Sequence, residues 1–257
     1  MQQGKRVGGS LERAMSDNHS FNPFQVIQEG IRLTRQSFAP LLGAVLVCLA
    51  IFTLALMIVI QVFIGTVNME DPQMILAMLV LQILIMPPLF AAIHCMGIMQ
   101  SVGATSRVQD VFKFIKQPFP FVLVALITQI ISQLAAGLLP GVIGLAMLGF
   151  ISVTLSMAIP LVAEYKLSPL QAIRCSFLAV IKRFLPFLGV YAVMFGLFIV
   201  GILTFGIGLI FVIPLFYNVK GIMYRDIFGV GIQDNDTTLS ALTTTQEHNS
   251  KHDTWDA

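Results

Sequence analysis

The stretch LLGAVLVCLAIFTLALMIVI, residues 41–60, decides the fold of this chain. It contains no charged side chain, and its length is about the 20 residues that an α-helix needs to cross the hydrocarbon core of a bilayer. A helix of a water-soluble bundle would carry a polar face at helical spacing, and this run has none. The run therefore predicts a transmembrane helix.

The composition of the whole chain extends this interpretation. Of its 257 residues, 56% are apolar and only 11% are charged, whereas a soluble domain has about 25% charged residues. Five further apolar runs are long enough to cross a bilayer, so we predict spans over residues 40–64, 74–99, 119–138, 140–163, 185–203 and 207–223. The predicted fold is an all-α polytopic membrane protein with six transmembrane helices.

The basic residues predict how these spans are oriented. All 15 Lys and Arg residues lie before the first span, in the second and fourth loops, or at the end of the sixth span and in the tail that follows it. The other loops have none, and the first of them carries Glu70 and Asp71. Because positively charged loops stay in the cytoplasm, we expect both termini there. Residues 1–20 have no signal-peptide pattern, and we expect residues 1–20 and 232–257 to be disordered because they are poor in apolar residues.

An internal repeat is the second feature of the sequence. With Pro23 placed over Pro169, six further identities follow without a gap: Gln25 with Gln171, Ile27 with Ile173, Phe38 with Phe184, Pro40 with Pro186, Leu42 with Leu188, and Gly43 with Gly189. A shorter middle unit aligns Gln109 with Gln25 and Pro120 with Pro40. We predict three tandem units at about residues 22–100, 105–164 and 168–229, each an interfacial helix followed by a transmembrane hairpin.

The segment that opens each unit predicts a basic amphipathic helix. Pro23 and Pro169 follow Asn22 and Ser168, which is typical of a first-turn proline behind an N-cap. In the third unit the large apolar residues share one side, which suits a helix lying in the headgroup plane. The expected lipid-headgroup contacts are Lys113, Lys116, Arg174, Lys182 and Arg183. A short helix packed against the bundle floor would show the same pattern.

Each returning span contains a Pro-Leu pair, at Pro88, Pro160 and Pro214. A proline inside a helix removes a backbone hydrogen bond and bends the helix, so three matched prolines predict three similar kinks. One interpretation is packing geometry inherited by duplication. The other is a hinge or a central cavity lined by the kinks.

Few residues within the spans could carry chemistry. We expect no Asp, Glu, Lys or Arg at the membrane centre, with Glu164, Lys220 and Arg225 reaching the cytoplasmic interface. An intramembrane polar cluster of His94, Gln129 and Gln133 is predicted, either as a polar pathway or as hydrogen bonds that join helices. Neither a nucleophile with a base nor a metal-ligand spacing is visible, and the three dispersed cysteines predict no disulfide. We therefore expect no enzyme, cofactor or metal.

Three motifs carry a resemblance to known proteins: LSPLQAIRCS at residues 167–176, FLPF at 184–187 and YRD at 224–226. They resemble uncharacterised six-span bacterial inner-membrane proteins, including the YciC group, and are similar to the membrane domain of some glycerophosphodiester phosphodiesterases. The likeness covers residues 22–229. It implies a multi-pass protein of the bacterial inner membrane and leaves the activity open.

Two classes of function remain from the sequence. The first is a non-enzymatic membrane protein that engages membrane lipids, a membrane protein partner or a second copy of itself, as the basic segments and uncharged interior suggest. The second is a channel or transporter for a neutral or lipidic solute, as the repeated prolines and intramembrane amides suggest. No basic patch separate from the membrane-facing segments indicates nucleic acid.

Overall fold

The computed structural model describes residues 6–16, 21–62, 72–139 and 141–231 of the chain. Five membrane-length apolar spans are formed by α3 (Phe38–Val62), α4 (Pro72–Ser101), α5 (Phe119–Leu138), the pair α6 (Gly141–Thr154) and α7 (Ala158–Tyr165), and α9 (Phe184–Leu203). A sixth helix, α10 (Leu209–Phe228), is as long as α9. It carries Asn218, Lys220, Arg225 and Asp226, and more than half of its residues are buried. The predicted all-α polytopic membrane fold is confirmed.

The shorter elements lie between these helices and at the ends. They are α1 (Leu11–Ser16), α2 (Pro23–Gln36), the 3-10 helix η1 (Val108–Phe112), α8 (Pro169–Ile181), and the strands β1 (Arg6–Val7) and β2 (Val230–Gly231). The side chain of Asn22 accepts a hydrogen bond from the Phe24 N–H at 3.0 Å, which confirms the expected N-cap of α2. Gln171 accepts from the Ser168 N–H at 3.3 Å at the start of α8. The middle segment differs from the expected α-helix, because it forms only a 3-10 helix followed by turns.

The helices close into a ring. Each group along the chain consists of a short helix (α2, η1 or α8), an outer helix (α3, α5 or α9) and a returning helix (α4, the α6–α7 pair or α10). Each outer helix contacts the short helix of the next group: α3 contacts η1, α5 contacts α8, and α9 contacts α2. The returning helices continue the same rule, because α4 contacts α5, α6 contacts α9, and α10 contacts α3. The third group is thereby joined to the first as the first is joined to the second.

The returning helices occupy the centre of this ring and the outer helices face outward. Pro88, Pro160 and Pro214 are all buried. On the outer helices, large apolar side chains such as Leu54, Leu134 and Phe195 are mostly exposed. A protein in water would bury such residues, so this outer surface suits contact with lipid chains.

Residues 6–16 are ordered, so the expectation of disorder was wrong for this part of the N-terminus. β1 pairs antiparallel with β2, and the Gly9 N–H donates to the Arg225 carbonyl at 3.0 Å. Gly8, with a φ of 95°, passes so close to α10 that a Cβ there would lie 2.2 Å from the Arg225 carbonyl oxygen. These contacts are made by backbone, so apolar composition could not reveal them. The expected disorder of residues 232–257 lies outside the described residues.

Candidate functional site

The centre of the bundle is a close crossing of α4 and α10 at two glycines. A Cβ on Gly97 would lie 2.4 Å from the Tyr217 carbonyl oxygen, and one on Gly221 would lie 2.3 Å from the Gly97 carbonyl oxygen. The two backbones are therefore in van der Waals contact, as small residues allow between membrane helices. Both glycines begin a Gly-Ile-Met triplet.

A buried pair of basic side chains lies beside this crossing. The Lys220 Nζ is 2.5 Å from the His94 Nε2, and the His94 Nδ1 is 2.6 Å from the Phe90 carbonyl oxygen. A carbonyl oxygen only accepts, so Nδ1 carries the imidazole proton and Nε2 accepts from the lysine. Tyr217 places its ring edge-on to the imidazole at 5.0 Å between centroids.

Lys220 is buried inside the bundle and does not reach an interface, so that expectation was wrong. The residue is 7% exposed, and it lies about 12 Å from the C-terminal end of α10 at 1.5 Å per residue. The reason is helix rotation: α10 presents position 220 to α4, where His94 offers an acceptor. One signal in the sequence could have found this pair, because His94 and Lys220 each lie six residues after a matched proline, Pro88 and Pro214.

A second buried polar contact joins α10 to α2, two residues before Lys220. The Asn218 Nδ2 donates to the Thr34 Oγ1 at 3.0 Å, and the Thr34 hydroxyl donates to the Gly30 carbonyl at 2.8 Å. All of these groups lie away from the surface. Neither Asn218 nor Thr34 stands in a sequence motif, so this contact could not be predicted from the sequence.

An ion pair joins the middle of α2 to the C-terminal ends of α4 and α10. The Arg225 guanidinium donates to both Glu29 carboxylate oxygens, at 2.8 and 3.0 Å, and to the Ser101 carbonyl at 2.7 Å. Its Nε donates to Asp226 at 2.9 Å. The hydrogen bonds from Arg225 lower the pKa of Glu29, while partial burial of the carboxyl opposes the shift.

The Glu29–Arg225 pair predicts a pH dependence of stability. The pKa of Glu29 is lower in the folded protein than in the unfolded chain. The pair therefore stabilises the fold at pH values above the pKa of Glu29 in the unfolded chain. This contribution is lost as the pH falls through the pKa of Glu29 in the folded protein. Thermal unfolding in detergent between pH 7 and pH 3 should show a difference between wild type and Glu29→Gln that shrinks toward low pH. A difference that stays constant over this range would contradict the role of the pair.

The predicted cluster of His94, Gln129 and Gln133 does not form. His94 is buried against α10, whereas Gln133 is exposed and Gln129 half-buried on α5. At 1.5 Å per residue, Gln133 lies about 20 Å from the N-terminal end of α5, whereas His94 lies about 10 Å from the C-terminal end of α4, which is on the same side of the bundle. Their depths in the bundle differ, so the two amides are no part of the His94 site.

The expected lipid-headgroup contacts divide into two groups. Lys113, Lys116 and Arg174 are exposed, as a contact with lipid headgroups requires. Lys182 and Arg183 instead bind the C-terminal end of α1: the Lys182 Nζ donates to the Met15 carbonyl, and the Arg183 Nη1 donates to the Ala14 carbonyl at 3.0 Å. Arg183 is 4% exposed, so its assignment to headgroups was wrong. The carbonyls at a helix C-terminus lack partners within the helix and attract cations.

The three prolines do not produce three similar kinks. α4 and α10 remain single helices across Pro88 and Pro214, whereas the fourth span is broken into α6 and α7 just before Pro160. The Ser176 hydroxyl fills this break, because it donates to the Thr154 carbonyl at 2.8 Å and accepts from the Met157 N–H at 3.2 Å. A side chain from α8 thus satisfies the break in the backbone of the fourth span.

One cavity of about 440 Å³ opens between the N-terminal half of α2 and the C-terminal end of α10, with Asn22, Gln25 and Glu29 among its lining residues. It lies near the Glu29–Arg225 pair and not between the buried prolines. Among the described residues there is no group of three or more His, Cys, Asp or Glu side chains that could hold a metal ion. No protein-family model, curated protein or solved structure matches this chain.

Proposed function

We propose that this chain is a non-enzymatic integral protein of the bacterial inner membrane that engages anionic lipids through its three short segments, α2, the η1 region and α8. The observation that carries the proposal is the pairing of exposed large apolar side chains with exposed basic ones in every segment. A membrane protein partner or a second copy of the chain would be the other occupant of this surface.

The first segment, α2, exposes Phe24 to 71% and also exposes Arg32 and Arg35. The η1 region exposes Phe112 and Ile115 together with Lys113 and Lys116. α8 exposes Leu170, Phe177 and Ile181 beside Arg174, and it turns the small residues Ala172, Ser176 and Ala179 toward the bundle.

This distribution favours an interfacial position over simple packing on the bundle. A helix that served only as a floor would turn its largest apolar residues inward. Apolar groups that reach the acyl boundary, with cations at headgroup level, give both hydrophobic and electrostatic attraction to an anionic leaflet.

The proposed membrane and orientation rest on the charge distribution and on the resemblance to the YciC group. A reporter fused after Asp71 should be exported, and one fused after Gly229 should remain cytoplasmic. Every Lys and Arg lies in a segment that the positive-inside rule assigns to the cytoplasm. A cytoplasmic reporter after Asp71 with an exported one after Gly229 would overturn the proposed orientation.

We also propose that three duplicated units underlie the ring. The matched glycines support this, since each contacts the first residues of the next unit's short segment. A Cβ on Gly43 would lie 2.7 Å from Val108, and one on Gly189 would lie 3.7 Å from Pro23. The duplicated interfaces thus agree with the identities in the sequence.

The lipid proposal predicts selective retention of anionic lipid by the purified chain. Native mass spectrometry in mixed micelles should show phosphatidylglycerol retained over phosphatidylcholine. The variant Lys113→Gln/Lys116→Gln/Arg174→Gln should lose about fivefold of this preference per charge, since each basic residue near a surface contributes about 1 kcal/mol.

The matched control is Lys113→Arg/Lys116→Arg with Arg174 unchanged, which keeps every charge and should keep the preference. Equal retention of both lipids by the wild-type protein would contradict the proposal. If the charge-removed variant kept the preference for phosphatidylglycerol, residues other than Lys113, Lys116 and Arg174 would bind the lipid, contrary to the proposal.

A further inference from the structure

We infer that a groove between α5, α6 and α8 binds one acyl chain of an anionic phospholipid, with the lipid phosphate on Arg174. This inference rests on the proposed function, because the groove must face a bilayer for a phospholipid to enter it. It adds a defined site for one lipid to the general attraction of the basic segments.

The groove has a volume of about 300 Å³ and opens on the outer surface of the bundle. Its walls are aliphatic and phenyl groups from all three helices, including Ile131 of α5, Phe150 of α6 and Leu170, Ile173 and Phe177 of α8. The one neutral polar side chain in the lining, Thr154, donates its hydroxyl to the Phe150 carbonyl at 2.8 Å. Apart from Arg174, the lining therefore offers no free side-chain donor to a polar solute, which favours a hydrocarbon chain.

The charge beside these walls identifies the polar end of the occupant. Arg174 lines the groove and is exposed, and no acidic residue shares the lining. Among the described residues it makes neither an ion pair nor a hydrogen bond, unlike Lys182 and Arg183, which bind α1. A free guanidinium presents paired donors that match phosphate oxygens.

The surroundings of the groove indicate that one lipid supplies both the hydrocarbon chain and the phosphate. Val142, Ile143 and Leu145 of α6 are largely exposed, and α5 and α6 both belong to membrane-length apolar spans. A chain bound here would continue directly into the hydrocarbon region. A single molecule with an acyl chain and a phosphate satisfies the walls and Arg174 together.

The test measures phosphatidylglycerol and phosphatidylcholine retained by the full chain in mixed micelles, by native mass spectrometry. We expect one tightly retained phosphatidylglycerol in wild type and at least a tenfold loss of its affinity in Arg174→Gln. Arg174→Lys should retain part of it, because a lysine keeps the charge without the paired donors. Lys116→Gln removes a charge outside the groove and should leave this lipid bound.

A second pair of variants tests the walls. Ile131→Trp fills the groove and should displace the tightly bound lipid although Arg174 remains, whereas Leu145→Trp, outside the lining, should not. Inorganic phosphate added at the same concentration as the lipid should displace none of it. Displacement by phosphate would mean that Arg174 binds the anion without the chain, and it would overturn the inference.

The outcomes separate this inference from the general proposal. If wild type prefers phosphatidylglycerol but Arg174→Gln and Ile131→Trp behave like their controls, the groove is not the site, while the general proposal stands. If wild type shows no preference for phosphatidylglycerol, both fail.

Discussion

Replacing Gly97 or Gly221 with leucine is expected to prevent the bundle from assembling, and replacing either with alanine should cost about 3 kcal/mol of folding free energy, the upper end of the usual cost of overpacking. A Cβ at either position would lie less than 2.5 Å from backbone atoms of the opposite helix. No side-chain rotation can relieve a contact with backbone, so α4 and α10 would have to separate.

Separation of these two helices would affect most of the structure. α10 also packs against α2, α3 and α9, and α4 against α5 and α7. It would also part the Lys220 amine from its acceptor on His94. We therefore expect the loss to appear as one cooperative change in thermal unfolding in detergent, together with a loss of monodispersity in size-exclusion chromatography.

Gly137→Ala and Gly196→Ala are the matched controls. Both glycines lie in apolar spans, and a Cβ at either meets no heavy atom within 4 Å. Alanine is a better helix former than glycine by about 1 kcal/mol in an exposed helix, so these variants should be neutral or slightly stabilised. If Gly97→Ala and Gly221→Ala behaved like them, α4 and α10 would not cross as closely as described.

His94→Leu is expected to destabilise the fold by about 3 kcal/mol, the upper end of the usual cost of leaving a buried hydrogen-bonding group without its partner. The lysine amine would keep its buried position without the imidazole acceptor. Lys220→Met should cost less, about 1 kcal/mol, because it removes the charge and leaves one imidazole nitrogen without a donor. The measurement is the free energy of unfolding of each variant in the same lipid–detergent mixture.

The double variant His94→Leu/Lys220→Met is the decisive control. Replacing both partners of a buried polar pair by apolar groups of similar size is often neutral, so the double variant should be more stable than His94→Leu alone. Losses that simply add would show that the two side chains do not interact, contrary to the 2.5 Å contact.

The apolar runs and the loop charges were enough to predict the class and the helices. The predicted third span, residues 119–138, coincides with α5 (Phe119–Leu138). The predicted fifth span, residues 185–203, begins one residue after the first residue of α9 and ends with it. Such boundaries follow from one-dimensional properties, because a span ends where polar or charged residues begin. The N-caps of α2 and α8 were readable for the same reason, since a cap is a local contact.

The candidate sites depended on information that hydropathy does not contain. α10 was predicted as a span, yet its rotation decides that Lys220 meets His94 and that Gly221 meets Gly97. The order of N-terminal residues 6–16, the binding of Arg183 to α1 and the break filled by Ser176 are likewise contacts between distant parts of the chain.

The sequence by itself determined that this chain is built of membrane-length helices, where they run, and which residues could face a charged surface. It did so because the cost of leaving backbone groups or charges in hydrocarbon acts on each segment separately. Only the tertiary structure decided which side chains meet, because rotation about each helix axis is set by packing against neighbours. That packing left Arg174 exposed beside an apolar groove and placed Arg183 against α1.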